Sequence, residues 1–502
     1  MAKVLMIQGT MSGAGKSIVV AGLCRLFKNR GYKVAPFKAQ NMALNSFITN
    51  EGLEMGRAQV VQAEACGIEP SCLMNPLLLK PQSDVGSQVI LKGKVLGNYS
   101  AKEFYKIKKD MVAPIMESYE RLSEDYDLII VEGAGSPAEI NLRSDDLVNM
   151  GFALRVNAPV FIVGDIDRGG VFAQLYGTMA LISEEERALV KGVIINKFRG
   201  DVDLLKPGLV QLEDLIHVPT IGVLPYQMLD IDDEDSQSER LNSSSKDGAI
   251  LDVAVIKVRH MSNYSDFTYL AAQKEVSLRY VSSTVELGNP DLIIIPGSKN
   301  TIYDLKVLKD DGFDLLLNKA HNRGIPIIGI CGGYQMLGST ISDPDGVEGE
   351  AGAETEGFNL LKTKTILERK KETRQRSGVI NVCGGDLKSL SGCKVEGYEI
   401  HMGRTTSVDT SDNVFITTDS GSDGFECDGV YGTYLHGFFD TNDVVRSIVQ
   451  DLCFKKGLEP HEGDSSHQNY FEYKEEQYNK LALAMEEYFD VDEIIRIIEG
   501  KI

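Results

Sequence analysis

The sequence predicts an α/β protein with two sheet-based domains in tandem, and three observations predict it. Short, continuous apolar runs alternate with helical stretches over residues 1–229, and the same alternation restarts at Ile250. Each half carries a Gly-rich strand-to-helix turn, GTMSGAGKS at 9–17 and GICGG at 329–333. Between the halves, DIDDEDSQSERLNSSSKDGA at 230–249 is acidic, Ser-rich and poor in apolar residues, the composition of a linker. Continuous apolar strands separated by helices imply a parallel sheet covered on both faces. A chain of 502 residues also exceeds what one core usually serves.

In the first half, strands are expected at Val4–Gln8, Val34–Phe37, Leu128–Val131, Val160–Val163, Gly192–Ile195 and Thr220–Val223. Helices are expected at Lys16–Asn29, Ala101–Leu122, Val171–Ile182 and Leu204–Ile216. The second half, 250–445, has strand patterns at Asp252–Ile256, Leu292–Ile295 and Ile325–Ile330, and later near Val395–Ile400, Val414–Thr417 and Gly429–Tyr434. Residues 343–393 are charged and loop-rich and are expected to hold little regular structure. Residues 446–502 read as a helical extension, with an acidic amphipathic tail at 470–499.

Lysine and arginine number 52 against 73 aspartates and glutamates, a formal charge of −21. A diffuse acidic excess argues against sequence-independent binding to nucleic acid, which needs a basic surface. It is compatible with a local basic pocket for an anionic small molecule. None of the eight cysteines forms a CxxC pair, so a zinc ribbon or thioredoxin motif is not expected. The opening MAKVLMIQG reads as a strand and not as a signal peptide, and no apolar run approaches a membrane span. The expected location is the cytoplasm, with thiols reduced.

Strand Val4–Gln8 runs into Gly9–Ser17 and then a helix, the arrangement of a phosphate-binding loop. Its glycines let backbone N–H groups approach phosphate oxygens, and the helix N-terminus adds positive potential. ATP is the expected ligand, bound by Thr10, Gly13, Ala14, Gly15, Lys16 and Ser17. Lys16 would reach the β/γ-phosphates, and the Ser17 hydroxyl would ligate Mg²⁺. The common pattern places a glycine where this chain has Thr10; here the glycine stands one position earlier, at Gly9. Strand Leu128–Val131 ends at Glu132, on the crevice edge of a parallel sheet, which makes Glu132 the expected second Mg²⁺ ligand. Lys38, after strand Val34–Phe37, would neutralise a transferred phosphate. Asn196, at another strand end, would read the adenine.

Gly329-Ile330-Cys331-Gly332-Gly333 follows an apolar run and precedes the helical YQMLGS. This is the nucleophile-elbow pattern with cysteine at its centre. Small flanking residues permit the strained turn, and the following helix N-terminus favours a thiolate. The N–H of Gly332 is placed for an oxyanion hole, with Gly297 of IPGS as a second donor. A thiol nucleophile wants a base. His436, ending VYGTYL, and His401, in GYEIHMG, are both candidates on pattern.

The strings GTMSGAGKS, EGAGS, PGSKNT, GICGGYQMLG and YLHGFF occur in this order. Together they resemble the glutamine-hydrolysing cobyrinate amidotransferase family, with an N-terminal half similar to dethiobiotin synthetase. The early glycine of the phosphate loop is that group's form. KAQNMALNS, EGAGSPAEINL and GDIDRGGVFA resemble the branch acting on the b, d, e and g carboxylates, not the one acting on a and c. The resemblance covers roughly residues 3–445.

It implies a P-loop NTPase domain followed by a class I, triad-type glutamine amidotransferase domain. Cys331 is then the glutaminase nucleophile and His436, not His401, its partner. Glutaminases of this class carry His-x-Glu, whereas this chain has His436-Gly437-Phe438, so only a Cys–His dyad is expected. L-glutamine and adenosylcobyrinic acid a,c-diamide are the implied substrates, with no nucleic-acid or membrane partner. Lys38, Asn41, Asp146, Asp165 and Arg168 are expected at the corrinoid, Arg168 pairing with a carboxylate and Asp146 orienting the amine or acyl phosphate. Three rivals share these residues: the a,c-diamide synthase or another carboxylate amidotransferase, a partition-type ATPase with an inert second domain, and a cysteine hydrolase fused to an ATPase. Partition ATPases often carry a second lysine early in the loop, and Gly9–Ala14 has none.

Overall fold

A computed structural model describes residues 2–83, 86–141, 146–227, 229–231, 246, 248–382, 384–408, 413–460 and 470–501. The chain divides into two compact units, the first comprising residues 1–43, 54–234 and 474–502 and the second 44–53 and 235–473. The division expected from sequence was contiguous, and it is corrected at two places. Residues 44–53 belong to the second unit, and 474–502 to the first, not to a separate extension. Most of the expected linker, 232–245 and 247, lies outside the described residues.

The first unit is built on β1 (Lys3–Gly9), α1 (Lys16–Asn29), β2 (Val34–Phe37), α2 (Arg57–Cys66), β3 (Leu128–Glu132), β4 (Val160–Asp165), β5 (Val190–Phe198) and β6 (Thr220–Pro225). The six strands form one sheet in the order β6-β5-β4-β1-β3-β2, parallel at every pairing. Their residues are nearly all buried, which is why they read as unbroken Val/Ile runs. Strand order reverses beside β1, so the loop after β1 opens at a topological switch point, where such sheets bind ligands.

Two parts of this unit differ from expectation. The helix expected over Ala101–Leu122 is three pieces: Ala101–Ile107, a 3₁₀ turn at Lys108–Met111, and Val112–Asp125. Pro114 lacks an N–H and fits only the first turn of a new helix. A four-stranded sheet also forms from Gln40–Met42, Leu77–Ser83, Gly86–Leu91 and Lys94–Ser100. Its last hairpin turns on Lys92 and Gly93, both at positive φ, and lysine is not the residue that normally announces such a turn.

The helices Tyr470–Tyr488 and Val491–Ile498 explain the second correction. Leu481, Met485, Phe489 and Ile494 are buried in the same core as Leu23, Phe27 and Ile221. A Cβ on Gly22 of α1 would stand 2.3 Å from Met485 Cε, so the glycine lets the C-terminal helix seat on α1. Arg25, 2% exposed, pairs with Glu475, and the N–H of Asp490 donates to the Ile221 carbonyl at 2.8 Å.

The second unit contains β7 (Leu251–Ile256), β8 (Val276–Val281), β9 (Leu292–Ile295), β10 (Ile327–Ile330), α3 (Gly332–Leu337), β11 (Thr363–Ile380), β12 (Lys394–Ser407), β13 (Asn413–Thr418), β14 (Gly421–Cys427), β15 (Val430–Thr433) and β16 (Leu435–His436). The order β8-β7-β9-β10-β15 is parallel, and β14, β13 and β11 continue it antiparallel. The expectation of little structure at 343–393 fails at β11, an 18-residue strand. Thr363, Thr365 and Leu367 point inward and Lys364 and Ile366 outward. Inward threonines and an outward isoleucine hide the two-residue period. β11 pairs along its length with β12, and β12 pairs with β16 by Tyr398 opposite His436.

Candidate active sites

The loop after β1 is shaped around Lys16. A Cβ on Gly9 would stand 3.0 Å from Lys16 Cγ and 3.2 Å from its Nζ, so the lysine chain lies across the position that must be glycine. This is the physical reason for the early glycine. Thr10, where the common pattern has glycine, donates from its hydroxyl to Gln174 at 3.0 Å. Gly13 and Gly15 are left-handed, with φ 72 and 92. The Lys16 ammonium curls onto the carbonyls of Met11, at 3.1 Å, and Gly135, at 3.2 Å.

Ser17 and Glu132 meet at 2.9 Å, Oγ to Oε1. Glu132 is fully buried and also binds the Lys38 ammonium at 2.9 Å, with Gln62 and Gln59 donating to Oε2. A buried carboxylate needs such partners to stay charged. Among the described residues, no three His, Cys, Asp or Glu side chains gather as a metal site. Ser17 and Glu132 still offer two hard oxygen donors beside a phosphate loop. That donor set fits Mg²⁺, which keeps waters and leans on substrate phosphates.

The other expected residues of this unit take structural partners. Asn196 donates to the Ala14 carbonyl at 2.9 Å and accepts the Lys197 N–H at 2.8 Å. A Cβ on Gly15 would stand 2.0 Å from its Nδ2. Asn196 thus braces the phosphate loop. Asp165 accepts from the Asp167 N–H and pairs with Lys197 at 2.9 Å and Arg168 at 3.8 Å. The Arg168 side chain is 58% exposed. Asp146 accepts from the N–H groups of Val148, Asn149 and Gly151, which caps the helix Met150–Val156. Asn41 is buried and donates to Gln59 at 3.0 Å.

In the second unit, β10 turns sharply at Cys331, which has φ 51 and ψ −108. A non-glycine residue there is strained. The surroundings hold it: the Cys331 N–H donates to the Thr433 carbonyl at 2.8 Å. A Cβ on Gly333 would stand 2.0 Å from the Ile295 carbonyl oxygen, and one on Gly329 would stand 2.5 Å from Leu337 Cδ1. The thiol lies 3.7 Å from the Ile400 carbonyl and within hydrogen-bonding reach of His436. A Cβ on Gly297 would lie 3.3 Å from His436 Cε1, and one on Gly332 would lie 2.7 Å from the Ser298 N–H nitrogen. The backbone at Gly297 therefore passes close to the His436 ring, and that at Gly332, next to Cys331, close to Ser298.

The missing acid comes from elsewhere in the chain. Asp266 Oδ2 lies 2.7 Å from His436 Nδ1, and Oδ1 accepts the Gly437 N–H at 3.3 Å. Asp266 sits on a 3₁₀ turn, Tyr264–Phe267, after the left-handed Asn263. Sequence reasoning missed it because it lies 170 residues from the histidine, in NYSDF, which carries no motif. Burial disfavours a charged His436, but the Asp266 carboxylate and the Cys331 thiol outweigh it and lift the ring to about 10. His401 is held otherwise: Nδ1 meets the Gly403 carbonyl at 2.7 Å, Nε2 lies 3.7 Å from Glu399, and the ring stacks on Tyr434.

Two family models match the two halves of the chain. The CobQ/CobB/MinD/ParA nucleotide binding domain matches residues 5–238, and the CobB/CobQ-like glutamine amidotransferase domain matches 252–444. Fold and sites thus define a glutamine amidotransferase domain joined to a nucleotide-binding domain. Cobyric acid synthase of Lachnoclostridium phytofermentans is 53% identical over 99% of this chain and 99% of its own. That of Ruminiclostridium cellulolyticum is 53% identical over 99% and 98%, and that of Listeria monocytogenes serovar 1/2a 48% over 100% and 98%. The chain belongs to the cobyric acid synthase family, glutamine-dependent amidating ligases of cobalamin biosynthesis.

Proposed function

We propose that this chain amidates the b, d, e and g carboxylates of adenosylcobyrinic acid a,c-diamide in the cytoplasm, consuming ATP and L-glutamine. Carboxylates do not react with ammonia in water because hydroxide is a poor leaving group. The γ-phosphoryl of ATP is therefore transferred to a corrin carboxylate, giving an acyl phosphate and ADP. Lys16 and the loop N–H groups hold the charge that spreads over the phosphoryl oxygens. Ser17 and Glu132 would hold Mg²⁺, which supplies further neutralisation of that charge. Lys38, beside Glu132, would meet the transferred group, and the exposed Arg168 would pair with a substrate carboxylate.

Nitrogen comes from the other unit. The Cys331 thiolate attacks the glutamine side-chain carbonyl, and the N–H groups of Gly332 and Gly297 receive the oxyanion. His436 gives its proton to the departing ammonia, leaving a glutamyl thioester. It then takes a proton from the water that hydrolyses the thioester to glutamate. Asp266 fixes the ring's orientation through Nδ1. Ammonia displaces phosphate from the acyl phosphate and forms the amide.

The observation that carries this reading is the Cys331–His436–Asp266 line in a chain that also bears the Ser17–Glu132 phosphate loop. Mass spectrometry of the a,c-diamide incubated with protein, ATP and glutamine tests it. Each turnover exchanges a hydroxyl for an amino group, and product amidated at b, d, e and g is expected. An unaltered a,c-diamide would refute the assignment.

A further inference from the structure

Two of the glutaminase groups depend on one short stretch of the second unit, the junction of β15 and β16. The Thr433 carbonyl accepts the Cys331 N–H at 2.8 Å, and His436 follows three residues later. The chain changes partners here, from β10 beside β15 to β12 beside β16. Backbone groups at such a change lose their ladder bonds, and buried ones need other partners. Asp423 of β14 supplies them. Its carboxylate accepts the Tyr434 N–H at 3.1 Å on Oδ1 and 3.2 Å on Oδ2, and Oδ2 also accepts the Thr433 hydroxyl. That hydroxyl accepts the Leu435 N–H at 3.0 Å. Thr433, Tyr434 and Leu435 are thus all tied to one carboxylate.

The approach of β14 is built for this. Gly424 has φ 72, and a Cβ on it would stand 2.0 Å from the Gly432 carbonyl oxygen. Its missing side chain lets the carboxylate one residue earlier reach over the end of β15. Asp423 is 5% exposed and Thr433 fully buried, and a buried carboxylate is a costly way to hold a strand end unless its charge is used. Burial pushes Asp423 up to about 6, with the Glu399 carboxylate of β12 adding to the rise, against the pull of the Thr433 hydroxyl, the Tyr434 N–H and His401. Glu399 is itself held by Arg374 and Arg376 of β11. The Tyr434 hydroxyl takes Thr405 and Gln335 as partners.

We infer that Asp423 is a positioning residue of the glutaminase: through the Thr433 hydroxyl and the Tyr434 N–H it fixes the strand junction that holds the Cys331 backbone at one end and presents the His436 ring at the other. It acts through Thr433 and Tyr434 and not on the reacting atoms. Loss of its charge loosens the junction and with it the alignment of thiol and imidazole. The inference rests on the assignment of Cys331 and His436 proposed above, and the controls separate the two.

The test is glutamate release by the full-length protein, with kcat and KM measured on both sides of pH 6. Asp423→Asn keeps the shape but removes the charge and one acceptor oxygen. Its kcat should fall roughly tenfold to hundredfold, the weight of hydrogen bonds to a charged group, with KM nearly unchanged. Wild-type kcat should drop as pH falls through about 6, where Asp423 takes up a proton, and Asp423→Asn should lack that step. Thr433→Val keeps the shape without the hydroxyl and should show the same loss of kcat, while Thr433→Ser, which restores the hydroxyl, should recover most of it. Wild-type kcat in Asp423→Asn and Thr433→Val, or a loss carried by KM alone, overturns the inference. So does a step at pH 6 that the wild type lacks or Asp423→Asn keeps. Glutamate release by Cys331→Ala would instead overturn the site assignment.

Discussion

His436 is 1% exposed, a setting that disfavours an imidazolium, yet Asp266 at 2.7 Å and the neighbouring thiol keep it charged. Asp266→Asn removes that charge but keeps the shape. Glutamate release should fall about a hundredfold or more, while amidation driven by ammonium salts persists. The same pair gives stability a pH signature. Its folded-state value of about 10 lies above the ordinary 6.5, so folding favours the protonated ring. The contribution is full below pH 6.5 and is lost as pH rises through about 10. Denaturant titrations across that window should show a slope that Asp266→Asn flattens. Gly333 has the opposite problem: a side chain there meets the Ile295 carbonyl at 2.0 Å. Gly333→Ala should cost about 1–3 kcal/mol and misplace the thiol, read as a lower melting temperature together with lost glutaminase. Cys331 was legible because a strand end and small neighbours advertise it, whereas pattern left His436 and His401 both open and only the family resemblance chose between them. Asp266 was not, because a triad is assembled by tertiary contact and nothing local marks the acid.

The parallel strands were legible for a simple reason: both faces are covered, so their residues are apolar without alternation. β11 was not, since its inward face uses threonine and its partner is the equally mixed β12. The C-terminal helices were legible as amphipathic, but an apolar face does not say which core it joins. Here Met485 and Leu481 lie over Gly22, and both are fully buried. Met485→Ala should destabilise the first unit by about 2–5 kcal/mol, read by urea unfolding followed through loss of nucleotide binding. Glu399 makes a comparable demand on the β11–β12 pair. Burial would raise its carboxyl, but His401, Arg374 and Arg376 hold it down to about 2. Glu399→Gln leaves buried Arg376 without its carboxylate, and a loss of about 3–5 kcal/mol is expected in the unfolding of the second unit.

On the scale of the whole molecule, the proposed function assigns two chemistries that need each other: one unit would activate an acid and the other would release ammonia. Both turns that mark them were visible in the residues. The exchange of 44–53 and 474–502 between units was not, because chain order does not fix which core a segment joins. The most direct measurement compares Cys331→Ala and Lys16→Ala, each supplied with ATP and either glutamine or an ammonium salt. Cys331→Ala should fail with glutamine and amidate with ammonium, and Lys16→Ala should fail with both. Ammonium-driven product from Lys16→Ala, or none from a folded Cys331→Ala, would contradict the division of labour.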